Sequence, residues 1–437
     1  MRVRRNFPER LQLLAGRVAS SPIGLTVITF AAIYLLAVWT VSNVSRRDPG
    51  SWFFDAEEGY RPEYSAVRLQ QSEEYLVTAA SEPFQRQSGG KDVELCVGVL
   101  SVAREGARYL RAAVASLVLG LTEEERNGVH LIVFIPQSDP AVHPAYHEAW
   151  LANLTDELLL YNLTGADPER VSKLEASSDA RRKIMMDYQY LMKACCDTGA
   201  PYMALLEDDI VAMHGWYHRT MEGLSIAEEI ASQKYASKGF LYLRLFYTES
   251  FLGWNVENLG EHIFWSIVLV VTVGILLIWS RAYSSTSQAF LPNRVVLLVC
   301  GVYVPCFIIL FFAAGRMTTL PLSTGVNVMN NYGCCTQGLV WPRNKAEQLM
   351  EWYESSKPLG YGDVLIEQYA DSHDELRLAI TPSVIQHIGV KSSKAGASSR
   401  RSKHERPIPE KLWNFRFELN NAEELKREHE SAIADGG

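Results

Sequence analysis

Apolar runs of two lengths alternate with polar stretches along the chain. The long runs cover 23–41, 263–279 and 295–314, and each is close to the roughly 20 residues that a bilayer-spanning helix needs. The third contains Pro305, which spanning helices tolerate where neighbouring groups satisfy the freed carbonyl. The pattern therefore predicts three transmembrane helices, one near the N-terminus and two that form a hairpin.

The short apolar runs are bounded by polar or turn residues, as is typical of buried strands. They predict strands at 93–102, 131–135 and 202–206, with a weaker candidate at 158–161. Apolar residues at helical spacing predict a helix over 181–196, which leads into the strand at 202–206. Strands that alternate with helices indicate βαβ units, so we expect an α/β fold with a mostly parallel, Rossmann-type sheet.

We expect the sequence before the hairpin and the sequence after it to form parts of the same soluble domain. Before it, the apolar run at 239–246 predicts a further strand. After it, we predict a helix at 345–355, a Gly-rich turn entering a helix at 360–369, a strand at 378–380, and a loop over 382–391 that contains His387. The hairpin is thus an insertion within one domain.

Basic residues indicate how the spans are oriented. Five arginines precede the first span, so the positive-inside rule places the N-terminus in the cytosol. A cleaved signal peptide is the alternative, but the apolar run is long and no small-residue cleavage site follows it cleanly. Arg281 and Arg294 lie in the connection of the hairpin and also suit the cytosol. Both soluble parts are then expected in the lumen.

These observations predict seven segments. They are a cytosolic N-terminus (1–22), a transmembrane helix (23–42), a lumenal stalk with one helix at about 64–78 (43–92), the first part of the α/β domain (93–261), the transmembrane hairpin (262–314), the second part of the domain (315–393), and a flexible basic, then acidic tail (394–437). Within the tail, the acidic end at 422–432 is expected to be either a surface helix or disordered.

Cysteine usage is compatible with an oxidising compartment. Cys300 and Cys306 fall inside the third span, where they act as small apolar side chains. The odd number of lumenal cysteines leaves at least one unpaired, and adjacent cysteines rarely bond to each other, so we expect a distant partner for each doublet. The lumenal cysteines are Cys96, Cys195, Cys196, Cys334 and Cys335. The net charge of −8 gives no reason to expect a nucleic-acid partner.

Three acidic residues, Glu207, Asp208 and Asp209, directly follow the strand at 202–206. Ligands of α/β sheets bind at the carboxyl ends of strands. Adjacent carboxylates repel each other unless a cation or hydrogen-bond donors offset their charge, and oxygen-rich sites suit Mg²⁺ or Mn²⁺. The cluster therefore predicts a divalent-cation site that can hold a diphosphate. A solvated acidic turn is the alternative.

Three other polar residues stand at element boundaries. Asp363 lies where a helix begins, so it can serve as the N-cap of a helix starting at Val364. His387, taken alone, suits a structural histidine in its loop. Arg104 follows the first strand, where it can meet a phosphate at a helix N-terminus or simply be solvated.

The motifs resemble those of known glycosyltransferases. Glu207-Asp-Asp209 after a strand is similar to the Asp-x-Asp-type motif of GT-A glycosyltransferases. Tyr361-Gly-Asp363 and Gln386-His-Ile-Gly389 followed by Ser392-Ser393 resemble C-terminal motifs of the N-acetylglucosaminyltransferase IV group. With a transmembrane hairpin inside the catalytic domain, the chain resembles the Golgi GPI N-acetylgalactosamine transferase family over about 23–393.

The resemblance implies a role for each candidate residue. Asp209 would bind Mn²⁺ (or Mg²⁺) directly, while Glu207 and Asp208 orient waters and the donor ribose. His387 would contact the metal or the diphosphate, and Asp363 would be the general base. The donor side would be lined by Arg104, Asp187, Tyr188 and Val102, although Tyr188 also suits the core.

The implied activity is a metal-dependent, inverting transfer of N-acetylgalactosamine from UDP-GalNAc to the mannose core of GPI anchors on proteins. The enzyme would be a multi-pass Golgi membrane protein with a lumenal catalytic domain. The alternatives are another UDP-hexose or N-acetylhexosamine donor, an N-glycan acceptor, or a non-catalytic glycolipid-binding membrane protein. The candidate base argues against the last, because a binding protein has no need to accept a proton.

The hairpin generates a prediction about membrane-bound acceptors. Because short connections at 247–262 and 315–331 join it to the soluble domain, it should raise the effective concentration of an acceptor in the same membrane. Replacing 263–314 with a Gly/Ser linker should spare transfer to small acceptors and steeply lower transfer to bilayer-held GPI glycans. Equal losses with both acceptors, or undiminished transfer to the lipid acceptor, would contradict this role.

Overall fold

The structure is a computed structural model that describes residues 21–79, 93–161, 168–176, 180–234, 238–329, 335–390 and 412–436. The chain divides into two compact units. The membrane unit comprises Met1–Tyr60 and Leu252–Pro321, and the α/β unit comprises Arg61–Phe251 and Leu322–Gly437. Cys334, Ser392 and Ser393, which the sequence analysis singled out, lie outside the described residues.

The membrane unit contains three helices that are long and apolar enough to cross a bilayer, as predicted. They are Pro22–Val44, Leu259–Tyr283 and Asn293–Ala313. The first and third pack through aromatic rings, since Phe30 stacks on Tyr303 with centroids 3.9 Å apart. A π-helical turn, Val299–Tyr303, precedes Pro305 in the third helix, a local adjustment that accommodates the missing N–H of proline.

The described residues of the α/β unit include ten strands. In chain order they are β1 Leu95–Leu100, β2 Val129–Ile135, β3 Glu157–Leu160, β4 Tyr202–Glu207, β5 Ile210–Ala212, β6 Tyr242–Arg244, β7 Gly325–Val328, β8 Gly338–Pro342, β9 Arg377–Thr381 and β10 Ile385–His387. Eight form one sheet in the order β3-β2-β1-β4-β8-β6-β9-β7, and β5 pairs with β10. Strands β1 to β4 run parallel, as do β6 and β9, so the predicted mostly parallel α/β sheet is confirmed.

Helices cover both faces of this sheet. The helices of the α/β unit are Tyr64–Ala79, Tyr109–Val118, Glu123–Gly128, Ala149–Leu154, Pro168–Ala176, Ala180–Asp197, Trp216–Lys234, Arg343–Ser356, Gly362–His373 and Ala422–Gly436. Side chains of β1 alternate between two apolar clusters, because Val97 and Val99 pack on one face and Cys96 on the other. Burial of both faces explains why the sequence shows continuous apolar runs instead of strict alternation.

A disulfide joins Cys96 in β1 to Cys195 in the helix Ala180–Asp197. The pairing confirms the expected distant partner for this doublet, since the two cysteines have a sequence separation of 99. Cys196 has a free thiol, in agreement with the expectation that the odd number of lumenal cysteines leaves at least one unpaired. Closing so long a loop restricts the unfolded chain and stabilises the packing of this helix on the sheet.

Two segments assigned to the stalk and the tail belong to the α/β unit instead. The helix Tyr64–Ala79 was expected in the stalk, but Tyr64 and Leu76 are buried in the core. The helix Ala422–Gly436 agrees with one of the two alternatives for the acidic end, a surface helix. The residues before it were assigned to a flexible tail, yet Phe417 is fully buried. Both misassigned segments have few apolar residues among polar ones, which hides the contacts that fix them.

The predicted loop around His387 is also wrong, because His387 lies in strand β10. The segment was assigned to a loop since it is short and polar at Gln386 and His387. Its partner β5, only three residues long, was missed for the same reason. This small two-stranded ladder carries part of the candidate site.

Candidate functional site

The acidic cluster lies at the carboxyl end of β4, in the middle of the sheet. Glu207 is the last residue of β4 and pairs in register with Leu100 at the end of β1. Ser101 and Asp208 are the residues that directly follow these two strands, so they lie next to each other. The Ser101 hydroxyl donates to Asp208 Oδ2 at 2.6 Å. The parallel register of β1 and β4 thus supplies the first hydrogen bond to the cluster.

Asp208 is buried and has partners for both carboxylate oxygens. Arg104 Nη1 donates to Oδ1 at 2.5 Å, opposite the bond from Ser101. Burial raises the pKa of Asp208 to about 6, with the charge of Asp209 adding to the effect and Arg104 opposing it. Asp208 therefore organises neighbouring side chains and has no free oxygen to offer a ligand.

His143 extends this group. The Ala145 N–H donates to His143 Nδ1 at 3.2 Å, which assigns the ring proton to Nε2. Nε2 lies 2.9 Å from the Ser101 hydroxyl, so His143 Nε2–H donates to the Ser101 oxygen, and the Ser101 hydroxyl in turn donates to Asp208. Burial and the charge of Arg104 lower the pKa of His143 to about 4, which keeps the ring neutral near pH 7.

Asp209 is arranged differently from Asp208. Its Oδ2 lies 3.5 Å from His387 Nε2 and 3.5 Å from Arg104 Nη2. Its Oδ1 is buried and has no hydrogen-bond partner among the described residues. Burial alone would raise the pKa of Asp209, but His387 and Arg104 outweigh it and hold the pKa below its usual range. The carboxylate is therefore charged, with one unused oxygen.

The β5–β10 ladder brings His387 to Asp209. His387 pairs in register with Ile210, and the Ile388 N–H donates to the Asp209 carbonyl at 2.9 Å. Gly389 completes the turn: a Cβ at this position would lie 2.5 Å from Asp209 Oδ2 and 2.7 Å from His387 Nε2. Only glycine leaves room for the two side chains to face each other.

Glu207 is held by groups from the start of β8. Thr336 donates to Oε1 at 2.6 Å and Gln337 Nε2 donates to Oε2 at 3.4 Å. The Tyr188 hydroxyl lies 3.0 Å from Thr336 Oγ1 and 3.3 Å from Glu207 Oε1. Tyr188 is thus both a core residue, as one of the two interpretations expected, and a link to the acidic cluster.

Asp363 lies in the first turn of the helix Gly362–His373, where it is half-buried. The helix begins two residues earlier than expected and its N-cap is Tyr361, so the N-cap interpretation of Asp363 is wrong. The carboxylate instead accepts from the adjacent Val364 N–H at 2.9 Å. A Cβ at the preceding Gly362 would lie 3.9 Å from the ring of Tyr188, whose hydroxyl contacts Glu207, so this end of the helix lies on the Glu207 side of the cluster.

Arg104 and Val102 line a small cavity beside the cluster, together with Ser101, His143 and Asp208. The Arg104 guanidinium lies 5.5 Å from the Tyr109 ring centroid, and the Tyr109 hydroxyl accepts from the Val390 N–H at 2.9 Å. Arg104 and Val102, two of the residues expected to line the donor side, therefore lie next to the acidic cluster. Arg104 is bound by Asp208 and Asp209 and is not simply solvated.

Asp187 belongs to a separate polar group. It accepts hydrogen bonds from Tyr161 and from Lys183 Nζ, the latter at 2.6 Å. Lys183 also donates to the Pro136 carbonyl at 2.7 Å, directly after β2. Burial raises the pKa of Asp187 to about 6, against the opposing effect of Lys183. The group lies at the ends of β2 and β3, on the same edge of the sheet as the acidic cluster.

These contacts define which residues could hold a divalent cation. Among the described residues, no group of three or more His, Cys, Asp or Glu side chains converges as a ready metal site. Asp209 with its unused oxygen and the adjacent His387 fit as two protein ligands. Mg²⁺ and Mn²⁺ sites of nucleotide enzymes commonly use one or two protein ligands, with water and phosphate oxygens filling the rest. Glu207 and Asp208 fit supporting roles, because their oxygens are already bound.

Several residues of the site carried no usable sequence signal. Ser101 falls within an apolar run and Gly389 within a recognised motif, so the sequence drew attention to both positions but assigned neither a role. His143 and Thr336 reach the cluster only through long-range packing. Nothing in their local sequence distinguishes them from other polar residues.

Curated relatives share part of this chain. The rat alpha-1,3-mannosyl-glycoprotein 4-beta-N-acetylglucosaminyltransferase A is 25% identical over 235 residues, which is 46% of this chain and 42% of the relative. The mouse B enzyme of the same description is 25% identical over 206 residues, 40% of this chain and 36% of the relative. The chain thus matches less than half of the length of these relatives.

A family model covers more of the chain. The family described as GPI-N-acetylgalactosamine transferase PGAP4 matches residues 95–386, which run from the first residue of β1 into β10 and include the acidic cluster. With this match and the N-acetylglucosaminyltransferase relatives, the protein is a glycosyltransferase. The chain belongs to the GPI-N-acetylgalactosamine transferase PGAP4 family.

Proposed function

We propose that this protein transfers N-acetylgalactosamine from UDP-GalNAc to the mannose core of GPI anchors on proteins in the Golgi, with inversion and with the help of a divalent cation. The family match supports the donor and the acceptor. The three apolar helices support an enzyme that acts on a membrane-held substrate. The observation that carries the chemistry is the charged Asp209 carboxylate, which has one oxygen unused beside His387.

Asp209 and His387 would hold the cation, Mn²⁺ or Mg²⁺. When bound, the cation offsets the negative charge that develops on the departing diphosphate. The protein itself places one further positive charge there, since Arg104 reaches both Asp208 and Asp209. Because Ser101 and Arg104 fix Asp208, the position of the Arg104 guanidinium is set before the donor arrives.

Asp363 is the proposed general base. A sugar hydroxyl is a weak nucleophile until a carboxylate accepts its proton as the new bond forms. Asp363 is half-buried and lies in the first turn of a helix, where the N-terminal partial charge favours the ionised carboxylate. Val364 binds only one of its oxygens in the described contacts. One base and one cation, without a nucleophilic carboxylate, suit a single displacement.

A second acceptor class is favoured by the relatives. Their names describe transfer to an alpha-1,3-mannosyl-glycoprotein, an acceptor that also contains mannose. Both proposals require an acceptor mannose hydroxyl near Asp363. They differ in whether the acceptor glycan is attached to a lipid.

The experiment is a donor and acceptor panel with the full-length protein in detergent or nanodiscs. UDP-sugars are tested with Mn²⁺ or with EDTA, and with GPI glycans or N-glycans as acceptors. We expect transfer from UDP-GalNAc to GPI glycans that EDTA abolishes. Preference for an N-glycan acceptor or for another donor would replace the specific assignment, and binding without transfer of any sugar would refute an enzymatic role.

Asp209 is predicted to provide the metal dependence. Asp209→Asn keeps the size of this buried side chain but removes the charge that a divalent cation needs, so turnover should fall by a factor on the order of 10²–10³. The apparent Mn²⁺ affinity should fall as well, as measured by titrating Mn²⁺ in the transfer assay.

Asp208→Asn is the matched control for this prediction. Because Asp208 binds Ser101 and Arg104 with both oxygens, its loss should mainly weaken donor binding, with the apparent Mn²⁺ affinity much less changed. Equal Mn²⁺ affinities for Asp209→Asn and the unaltered protein would contradict the metal assignment.

Asp363 is predicted to act on the acceptor and not on the donor. Asp363→Asn preserves the shape and can still accept from Val364, so it should lower kcat by a factor on the order of 10²–10⁴ and leave the donor Kd nearly unchanged. Transfer kinetics and UDP titrations measure the two quantities. A collapse of donor affinity with surviving kcat would make Asp363 a binding residue.

Gly389 is predicted to be essential although it takes no part in the chemistry. In Gly389→Ala, the new methyl group would overlap Asp209 Oδ2 and His387 Nε2, so the two side chains must separate. We expect turnover to fall by about tenfold or more, since misplacement of about 1 Å costs that much or more in an active site. Gly253→Ala is the control, because a Cβ there meets no atom within 4 Å. Full activity of Gly389→Ala would mean that the pair is not used as arranged.

A further inference from the structure

Strand β10 is too short to hold His387 in place alone. It has three residues, and its one strand partner among the described residues is β5, which also has three. One further backbone bond runs from the Ile385 N–H to the Leu245 carbonyl, at 3.4 Å. Isolated two-stranded ladders are marginally stable even when longer. The precise approach of His387 to Asp209 must therefore depend on contacts from other parts of the chain.

Residues 412–418, near the C-terminal end, supply such contacts. The Gln386 side chain makes a pair of hydrogen bonds with the Asn414 backbone: Oε1 accepts from the N–H at 3.0 Å and Nε2 donates to the carbonyl at 2.9 Å. Neither residue is exposed to solvent. The side chain next to His387 in sequence thus binds this segment in the way that a neighbouring strand would.

A buried carboxylate strengthens the same junction. Gln386 Nε2 also donates to Glu418 Oε1 at 2.7 Å. The other oxygen of Glu418 accepts from the Glu63 N–H at 2.8 Å and from the Ser65 N–H and hydroxyl at 3.0 Å. Glu418 therefore connects β10 to the start of the helix Tyr64–Ala79, with hydrogen bonds that compensate its burial.

Asn414 holds the segment in register. Its Nδ2 donates to the Tyr247 carbonyl at 3.1 Å and to the Ser383 hydroxyl at 3.0 Å, while its Oδ1 accepts from the Phe417 N–H at 2.9 Å. The Glu249 carboxylate accepts from the next two backbone N–H groups, at 2.7 and 3.1 Å. The segment is fixed by specific polar bonds, not by apolar packing alone.

The contacts extend to His387 itself. Its ring is hydrogen-bonded to the backbone of Leu412, the first described residue of the segment. On its other side the ring faces Asp209. Residues 412–418 lie beyond the residues 95–386 that match the family, so the match alone does not reveal them.

We propose that residues 412–418 are a positioning segment that holds His387 against Asp209 and so completes the active site, with Asn414 as its central positioning residue. The role in turnover rests on the proposed function. The placement of His387 does not, because it follows from the hydrogen bonds of Gln386, Asn414 and Glu418.

The test compares Asn414→Ala with Phe417→Leu in the full-length protein. Phe417→Leu weakens the packing of the same segment in the core and keeps its polar bonds, so it serves as the control for general destabilisation. Modification of His387 by diethyl pyrocarbonate, mapped by mass spectrometry, reports its protection without any need for activity. Turnover is measured for both variants, and for Asn414→Ala in a His387→Ala background.

In Asn414→Ala we expect modification of His387 to accelerate and turnover to fall, each by roughly tenfold to hundredfold, as loss of a buried hydrogen-bond group allows. In the His387→Ala background the same substitution should add less than about a twofold loss, because coupled residues are not additive. Phe417→Leu should lower the unfolding temperature but change neither quantity by that much. If Asn414→Ala does not fold, Asn414→Asp retains the size and the Phe417 bond but loses both donor bonds.

Three results would overturn the proposal. They are unchanged protection of His387 in a folded Asn414 variant, an equal loss of turnover with and without His387, and equal losses in Phe417→Leu and Asn414→Ala. Failure of the proposed function looks different: the unaltered protein would transfer no sugar, while the modification rates would still decide whether the segment positions His387. Full turnover of His387→Ala would overturn the role in the reaction.

Discussion

Mutual repulsion of three consecutive carboxylates at the end of a buried strand is the constraint on which this α/β unit depends. Such groups stay charged inside a protein only where donors or cations compensate each of them. Here each carboxylate has its own solution: Thr336 and Gln337 for Glu207, Ser101 and Arg104 for Asp208, and His387 with Arg104 for Asp209. The compensating groups come from β1, β8 and β10, so the charge requirement links distant parts of the chain.

The three carboxylates differ in whether both of their oxygens are bound by neighbouring groups, and this difference separates supporting residues from a residue that can bind a ligand. Glu207 and Asp208 have both oxygens engaged, which makes them supports for neighbouring groups. Asp209 keeps one oxygen without a partner among the described residues. In a low-dielectric environment an unused charged oxygen is costly unless a ligand binds it, and the divalent cation proposed above would be such a ligand.

The sequence predicted those features that depend on local pattern. Apolar run lengths identified the three spans and the strands β1, β2 and β4, and the position of the acids after β4 located the site. It did not predict the partners of the acids, because Ser101, His143 and Thr336 reach them only through strand register and long-range packing. Strand β10 was taken for a loop, since three residues carry too little periodicity to be distinguished from one. The segment 412–418 was assigned to the tail because it is a short apolar stretch between charged stretches of sequence.

The position of the two inserted spans in the chain has a consequence for biosynthesis. Strand β4 lies before them and its antiparallel partner β8 lies after them. A nascent chain that has just released its third span from the ribosome therefore possesses β1 to β6 but has an unpaired β4 edge in the middle of the sheet. Membrane insertion of the hairpin precedes closure of the sheet, and residues 412–418 emerge later still. A truncated or stalled chain would hence carry the acidic cluster without Thr336, Gln337 and His387, which compensate Glu207 and Asp209, and would be a substrate for quality control.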